Sequence, residues 1–425
     1  MVEREVIRRI IIEGQEFVNE ISLTERPFFF EQKGNYVFVG IRQTGKSYLL
    51  YQRIQQLLRE EHNINEIVYI NFDDERLRQM TADDLDLILQ AYHSLFDLRP
   101  LLFFDEIQNI EGWEHFARRL ANQKYNIYIT GSNAKMLSRE IATTLGGRFW
   151  NKDIYPYSFA EYLNARDIIL SKNWIYGKQA AEVSKAFNDY FLYGGFPELT
   201  DVIAKRVWLN DIYSKIFFSD LIVRNKVRNE EALGLLVRRL AENVKQPVSY
   251  TRLANLISSI GIKISKATVI EFIRYLKESC LIFPIENYAA KFAERNSNMK
   301  HYFIDNGLLS IFLLDGNTSL LENIVAIHLY KRYGAQLYFY NQNIEVDFVI
   351  PEAKTAIQVS YSLMDETTCR REVEGLIKLN RVFPMDNMCI ITRDEERIIT
   401  HESGVSIHVI PVWKWLLVSK SDFSL

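Results

Sequence analysis

The sequence predicts an α/β fold whose first part is built on a parallel sheet. Short apolar runs that end in polar clusters recur over the first 130 residues, at 36–39 (YVFV), 66–72 (EIVYINF), 101–104 (LLFF) and 125–130 (YNIYIT). Helical stretches separate them, and strands alternating with helices pair in parallel through right-handed crossovers. The first run leads into the glycine-bounded segment 40–47 (GIRQTGKS), after which Leu49, Leu50, Ile54 and Leu57 recur at helical spacing. At roughly 100–200 residues per domain, 425 residues make two to four domains.

Composition narrows the function classes. The chain is 48% hydrophobic and 25% charged with a net charge of −3, as expected of a globular protein and not of a polybasic coat. Cys280, Cys369 and Cys389 lie far apart, which excludes a zinc module or disulfide scaffold as the organising device. Charges interrupt the apolar residues of 1–14, so no secretory signal is expected. No run reaches the ~18–20 apolar residues of a membrane span. The expectation is a cytoplasmic protein with no membrane partner.

Gly40, Ile41, Arg42, Gln43, Thr44, Gly45, Lys46 and Ser47 match G-x-x-x-x-G-K-[ST] at every fixed position, and Tyr48 follows in the first helical turn. Glycines let successive backbone N–H groups curl around a phosphate, and the next helix adds its positive end. Lys46 is placed to reach the β- and γ-phosphates of ATP, and Ser47 to offer its hydroxyl to Mg²⁺. The buried run 101–104 ends in Asp105 and Glu106, which supply the partner chemistry. Asp105 is placed for the Mg²⁺ shell and Glu106 to orient or deprotonate the attacking water.

Seven stretches then resemble a known family, the AAA-plus ATPases of bacteria and archaea that join a P-loop core to a restriction-endonuclease-like C-terminus. They are GIRQTGKS at 40–47, FFDEIQNI at 103–110, YITGSN at 128–133, GGRFW at 146–150, YPYSFAEYL at 155–163, YGGFPEL at 193–199 and YFIDNGLL at 302–309. The resemblance implies a sensor at Ser132 or Asn133 beside the γ-phosphate. It implies also that Arg148 is a candidate arginine acting in cis or in trans. It divides the chain into an N-terminal helix and ATPase domain (1–157), a helical lid (158–225), a winged helix-turn-helix (226–310) and a restriction-endonuclease-like domain (311–425).

The winged helix is also legible in the residues. Three helical patterns, over 232–244, 251–257 and 265–276, precede two strand-like runs at 281–285 and 302–304. Residues 221–310 carry 14 Lys+Arg against 8 Asp+Glu, a local +6. That excess is an electrostatic footprint for DNA. Lys263, Lys266, Arg274 and Lys277 lie near the recognition helix, and Lys291, Arg295 and Lys300 in the wing. A protein is the alternative partner, since winged helices also dock proteins, and an oligomer is compatible with the sequence.

By the same resemblance, an active nuclease would place acids at Glu322 and Asp347, then Glu and Lys where this chain has Gln358 and Ser360. Metal-assisted cleavage needs carboxylates for the hard cation and a lysine for the developing charge. Two of the four are absent, and Lys354 lies only on the preceding turn. The expectation is therefore a nuclease-like fold with its site disabled, moved by a Mg²⁺-dependent ATPase. The alternatives are a slow regulatory ATPase that binds a protein partner, and an ATP-dependent nuclease acting through Glu322, Glu345 and Asp347.

Overall fold

A computed structural model describes residues 3–137, 139–291, 295 and 298–417. The chain divides into two compact units, the first made of residues up to Tyr155 together with Glu278–Cys280 and the second of the rest. In the first, helix α1 (Arg4–Glu20) precedes strand β1 (Asn35–Val39) and helix α2 (Lys46–Arg59). Strand β2 (Ile67–Asn71), helix α3 (Asp86–His93), strand β3 (Leu101–Asp105), helix α4 (Trp113–Asn122) and strand β4 (Ile127–Gly131) follow. Helix α5 (Arg139–Leu145) and strand β5 (Phe149–Asp153) complete the unit. The strands lie in the order β2-β3-β4-β1-β5, and every recorded pairing is parallel.

Both faces of this sheet are covered, so its central strands are apolar throughout rather than alternating. Val37, Phe38 and Val39 of β1 and Leu102, Phe103 and Phe104 of β3 are fully buried. At about 1.5–3 kcal/mol for each such side chain, these strands anchor whatever their carboxyl ends carry. β5 is a mostly exposed edge strand, FWNKD, without the apolar signature that marks the other four.

The second unit opens with helices α6 (Phe159–Asn164), α7 (Lys178–Tyr193) and α8 (Lys205–Lys215). Helices α9 (Glu230–Glu242), α10 (Tyr250–Ser258) and α11 (Lys266–Glu278) follow, with the short strand β6 (Val248–Ser249) before α10. The Ser249 and Ser265 hydroxyls accept N–H bonds from Arg252 and Thr268, which caps α10 and α11. Then come β7 (Ile282–Asn287), β8 (Asn298–Phe303), β9 (Tyr338–Asn341), β10 (Glu345–Ile350), β11 (Thr355–Val359), β12 (Asn387–Thr392), β13 (Arg397–Thr400) and β14 (Ser406–Pro411). They form one nine-stranded sheet with β6, in the order β13-β14-β12-β11-β10-β9-β7-β8-β6. The hairpin β7–β8 joins it where Glu286 and Asn287 run parallel to Tyr338 and Phe339. Residues on either side of position 310 therefore share a sheet.

Two of the recurring stretches dock on each other in this unit. Asp305 is buried and accepts N–H bonds from Gly195 (2.7 Å), Gly307 (2.8 Å) and Leu308 (3.3 Å). Gly194 has φ 78°, and a Cβ there would come within 2.0 Å of the Asp305 carboxylate, so only glycine fits. Asn306 donates to the carbonyls of Phe191 and Leu320. YGGFPEL and YFIDNGLL are thus two halves of one buried polar clasp.

Two buried histidines set an acid limit for this unit. Burial, with Lys277 nearby, lowers His301 to about 4, and burial, with Lys331 and Arg332, does the same for His328. Unfolded histidine titrates near 6.5. Between these values the unfolded chain binds more protons, so stability is present above pH 6.5 and is lost as pH falls toward 4. Each histidine contributes on the order of 3 kcal/mol across the whole window. The apparent Tm should drop between pH 7 and 5, and His301→Gln should shallow that slope. An unchanged slope in the variant would mean that His301 binds its proton equally well in the folded and unfolded chains.

Candidate nucleotide site and a second charged cluster

The phosphate loop connects β1 to α2. Gln43 and Gly45 have positive φ (60° and 84°), which turns the backbone of the loop back on itself. A Cβ at Gly40 would lie 2.0 Å from the Ile154 carbonyl oxygen. Three carbonyl contacts brace the loop: the Thr44 hydroxyl donates to Ile41 (2.9 Å), and Arg26 donates to Thr44 and Tyr155 (3.1 Å each). Tyr48 is half exposed on the first turn of α2, its ring edge-on to Tyr51 at 5.5 Å.

Lys46 is buried at 4% exposure, with its Nζ 3.2 Å from the Ile41 carbonyl and 3.5 Å from Glu106 Oε1. Asp105 ends β3 at 1% exposure. It accepts from the Tyr69 hydroxyl (2.8 Å), from Thr130 Oγ1 and from the Ser47 side chain. Burial and the neighbouring Glu106 charge raise its pKa, and those three hydrogen bonds oppose the rise. Burial would also raise Glu106, but Lys46, Gln108, Arg42 and Ser132 outweigh it and hold the carboxyl below its usual value. Glu106 is therefore ionised at neutral pH. Its backbone is left-handed (φ 52°), a strain of about 1–2 kcal/mol in a non-glycine residue, and its N–H is held by Thr130 Oγ1 at 3.0 Å.

The structure brings Lys46, Ser47, Asp105 and Glu106 together. Ser132 joins them through Gln108, whose amide donates to Glu106 Oε2 (2.5 Å) and to Ser132 Oγ (3.4 Å). Asn133 follows at the same strand end and is half-buried. Arg148 is exposed and donates to the Gly146 carbonyl of its own turn (3.0 Å). Sequence reasoning missed Arg26, Tyr69, Gln108 and Thr130. Register could have found Thr130: Phe104 pairs with Ile129, so Asp105 and Thr130 end adjacent strands side by side.

The second unit holds another charged cluster, and it corrects the assignment of Lys300 to a basic wing. β8 begins at Asn298, so strand alternation puts Lys300 and Tyr302 on one face. Lys300 is fully buried, with Nζ 3.2 Å from Glu322 Oε1, 3.2 Å from Asp347 Oδ1 and 3.5 Å from Glu345 Oε1. The Tyr302 hydroxyl donates to the same Glu322 oxygen at 2.7 Å. The carboxylates outweigh the burial that would lower Lys300, and its pKa is raised.

Glu322 and Asp347 therefore do meet, and a cation stands between them. Gln358 lies beside them with both ends of its amide used on the β10 backbone: Oε1 accepts from Asp347 N–H (2.9 Å) and Nε2 donates to the Glu345 carbonyl (3.1 Å). Ser360 donates to the Ser362 carbonyl at 2.9 Å. Lys354 pairs with Asp386 (3.5 Å) on the surface and not with the cluster. The cluster opens onto a cleft of about 670 Å³ also lined by Lys245, Arg371 and Lys378. Among the described residues no group of three or more His, Cys, Asp or Glu is arranged to hold a metal ion.

A phosphate loop between β1 and α2, with paired carboxylates at the end of β3 two strands away in the same parallel sheet, defines a P-loop ATPase of the AAA type. Residues 32–163 match an AAA domain family, and residues 184–319 match a domain of unknown function. An uncharacterized protein of Methanocaldococcus jannaschii is 32% identical, covering 98% of this chain and 96% of its own length. An uncharacterized Haemophilus influenzae protein is 30% identical over 81% of this chain and 86% of its own. The chain belongs to the same family as these relatives. Among solved structures, a Walker-type ATPase of Pyrococcus abyssi aligns with 73% of this chain and 96% of its own at 14% identity and a TM-score of 0.40. The Aeropyrum pernix ORC1 protein in complex with DNA aligns with 73% of this chain and 91% of its own at 14% identity and a TM-score of 0.29. No helix among the described residues is long and apolar enough to cross a membrane.

Proposed function

We propose that the first unit hydrolyses ATP with Mg²⁺ and that nucleotide state repositions the second unit on its partner. The carrying observation is the buried Lys46–Glu106 pair beside Asp105, at the carboxyl ends of parallel strands where ligands of such sheets bind. Ser47 and Asp105 fit Mg²⁺: a hydroxyl and a buried carboxylate already in hydrogen-bond contact, with burial pressing on the carboxylate charge that a cation would relieve. When bound, Mg²⁺ supplies charge neutralisation at the phosphates.

Lys46 leaves Glu106 for the β- and γ-phosphate oxygens, where it offsets the charge that grows as the terminal bond breaks. Glu106, freed and still ionised, orients the attacking water and takes its proton. Gln108 and Ser132 hold that carboxylate in place, and Asn133 is the sensor candidate at the same strand end. The exposure of Arg148 supports action in trans, on a neighbouring copy.

For the partner, the reading is DNA, with residues 226–310 as a winged helix. Three helices followed by a hairpin support it, as do Lys266, Arg274 and Lys277 on the exposed side of α11, opposite buried Val269, Phe272, Ile273 and Leu276. If this face meets phosphates, log affinity should fall linearly with log salt, by about 0.9 for each phosphate neutralised. Replacing Lys266 and Lys277 together by Ala should lower that slope by about 2 while the circular dichroism stays unchanged. A salt-independent interaction, or none at low salt, would move this face to a protein partner. The C-terminal strands are proposed as a nuclease-like domain that does not cut, because Gln358 and Ser360 stand where an active site needs an acid and a lysine.

A further inference from the structure

The Lys300 cluster goes beyond a lost active site. Three carboxylates from two elements, the helix Asn317–Tyr333 and β10, converge on one point, although they are not arranged to hold a metal ion. That point is filled by an ammonium group from a third element, β8. We propose that Lys300 is the resident cation of this cluster, so that the second unit keeps a carboxylate centre that takes no metal while the lysine is present.

Geometry carries the argument. Mg²⁺ needs oxygens at about 2.0–2.1 Å and keeps several waters. Here the Lys300 Nζ stands 3.2 Å from two of the carboxylates and 3.5 Å from the third, with no exposed surface of its own. Any metal drawn to the same oxygens would have to displace a buried positive charge or sit against it. Two of the six carboxylate oxygens carry further bonds. Asp347 Oδ2 accepts from the Val359 N–H at 3.0 Å, and Glu322 Oε1 is shared by Lys300 and Tyr302. The Gln358 side-chain oxygen, a neutral ligand nearby, is spent on the Asp347 N–H. An ammonium ion satisfies the carboxylates by its own charge-assisted hydrogen bonds.

This inference extends the non-cutting reading of the C-terminal domain, and the two can fail separately. The test is Mn²⁺ binding followed by electron paramagnetic resonance, on the full chain without nucleotide. Wild type should bind no Mn²⁺ through Asp347, so that wild type and Asp347→Asn titrate alike. Lys300→Ala should bind one Mn²⁺ at least tenfold more tightly than wild type, and adding Asp347→Asn should remove that site. Should Lys300→Ala not fold, Lys300→Gln keeps the length of the side chain and carries the same titration. Wild-type binding that disappears in Asp347→Asn would overturn the proposal, as would a folded Lys300 variant that binds no better than wild type. Duplex DNA incubated in the same samples separates the two readings. Cutting by wild type would sink the non-cutting reading, whereas Mn²⁺ binding without cutting would sink only the role of Lys300.

Discussion

Replacing Lys46 by Ala should abolish ATP hydrolysis and weaken ATP binding together. The side chain is the buried cation of the phosphate loop, and it loses charge-assisted hydrogen bonds worth about 1.5–3 kcal/mol. That range converts to ~10–100-fold in affinity, and turnover should fall by at least ~100-fold because the same charge faces the transition state. The loop itself should survive, since Thr44 and Arg26 brace it through carbonyl contacts that do not involve Lys46. Equilibrium binding of a fluorescent ATP analogue, beside phosphate release, checks both parts. Turnover at the wild-type rate in this variant would remove Lys46 from the site.

Glu106→Gln should separate binding from chemistry. The amide keeps the shape of the side chain, and Gln108 and Ser132 can still position it. It cannot accept the proton of water, so hydrolysis should slow by about 10²–10⁴-fold. ATP affinity should hold or rise, because Lys46 no longer has to leave an ion pair at 3.5 Å to reach the phosphates. Single-turnover hydrolysis compared with equilibrium binding reads the split. Equal losses in both would make Glu106 a structural residue, held in its left-handed conformation for the turn and not for catalysis.

The nucleotide site was legible in the sequence because its parts are local. A strand, a glycine-bounded loop and a helix follow one another within 24 residues at 36–59, and a buried run ending in two acids declares its own strand end. What surrounds those parts was not legible, since Tyr69, Thr130 and Arg26 reach the site only through strand register and chain crossing. β5 escaped for a different reason: an exposed edge strand lacks the apolar pattern by which strands are recognised.

In the second unit the difficulty was a boundary. Starting β8 at Tyr302 instead of Asn298 leaves Lys300 in a loop, where a lysine reads as a surface charge. With the strand begun at Asn298, period-two alternation places Lys300 beside Tyr302 and facing Glu322. The cation sought downstream of Asp347, at Ser360 or Lys354, was therefore 47 residues upstream of it on a different strand. Spacing-based motifs cannot see such an exchange, because sheet order and not sequence order puts the strands together. The helix Glu366–Val382 and strands β12–β14 also fell outside the sequence reading, which drew its patterns from resemblance up to Ser360.

ATP hydrolysis by this chain should need Mg²⁺ and the Lys46, Asp105 and Glu106 constellation. Phosphate release by the full chain at saturating ATP, with Mg²⁺ present and then chelated, and with duplex DNA added and omitted, tests it directly. Release with Mg²⁺ that stops on chelation and falls at least ~100-fold in Glu106→Gln is the expected result. Absence of release under every one of these conditions, or release that persists after chelation, would contradict it.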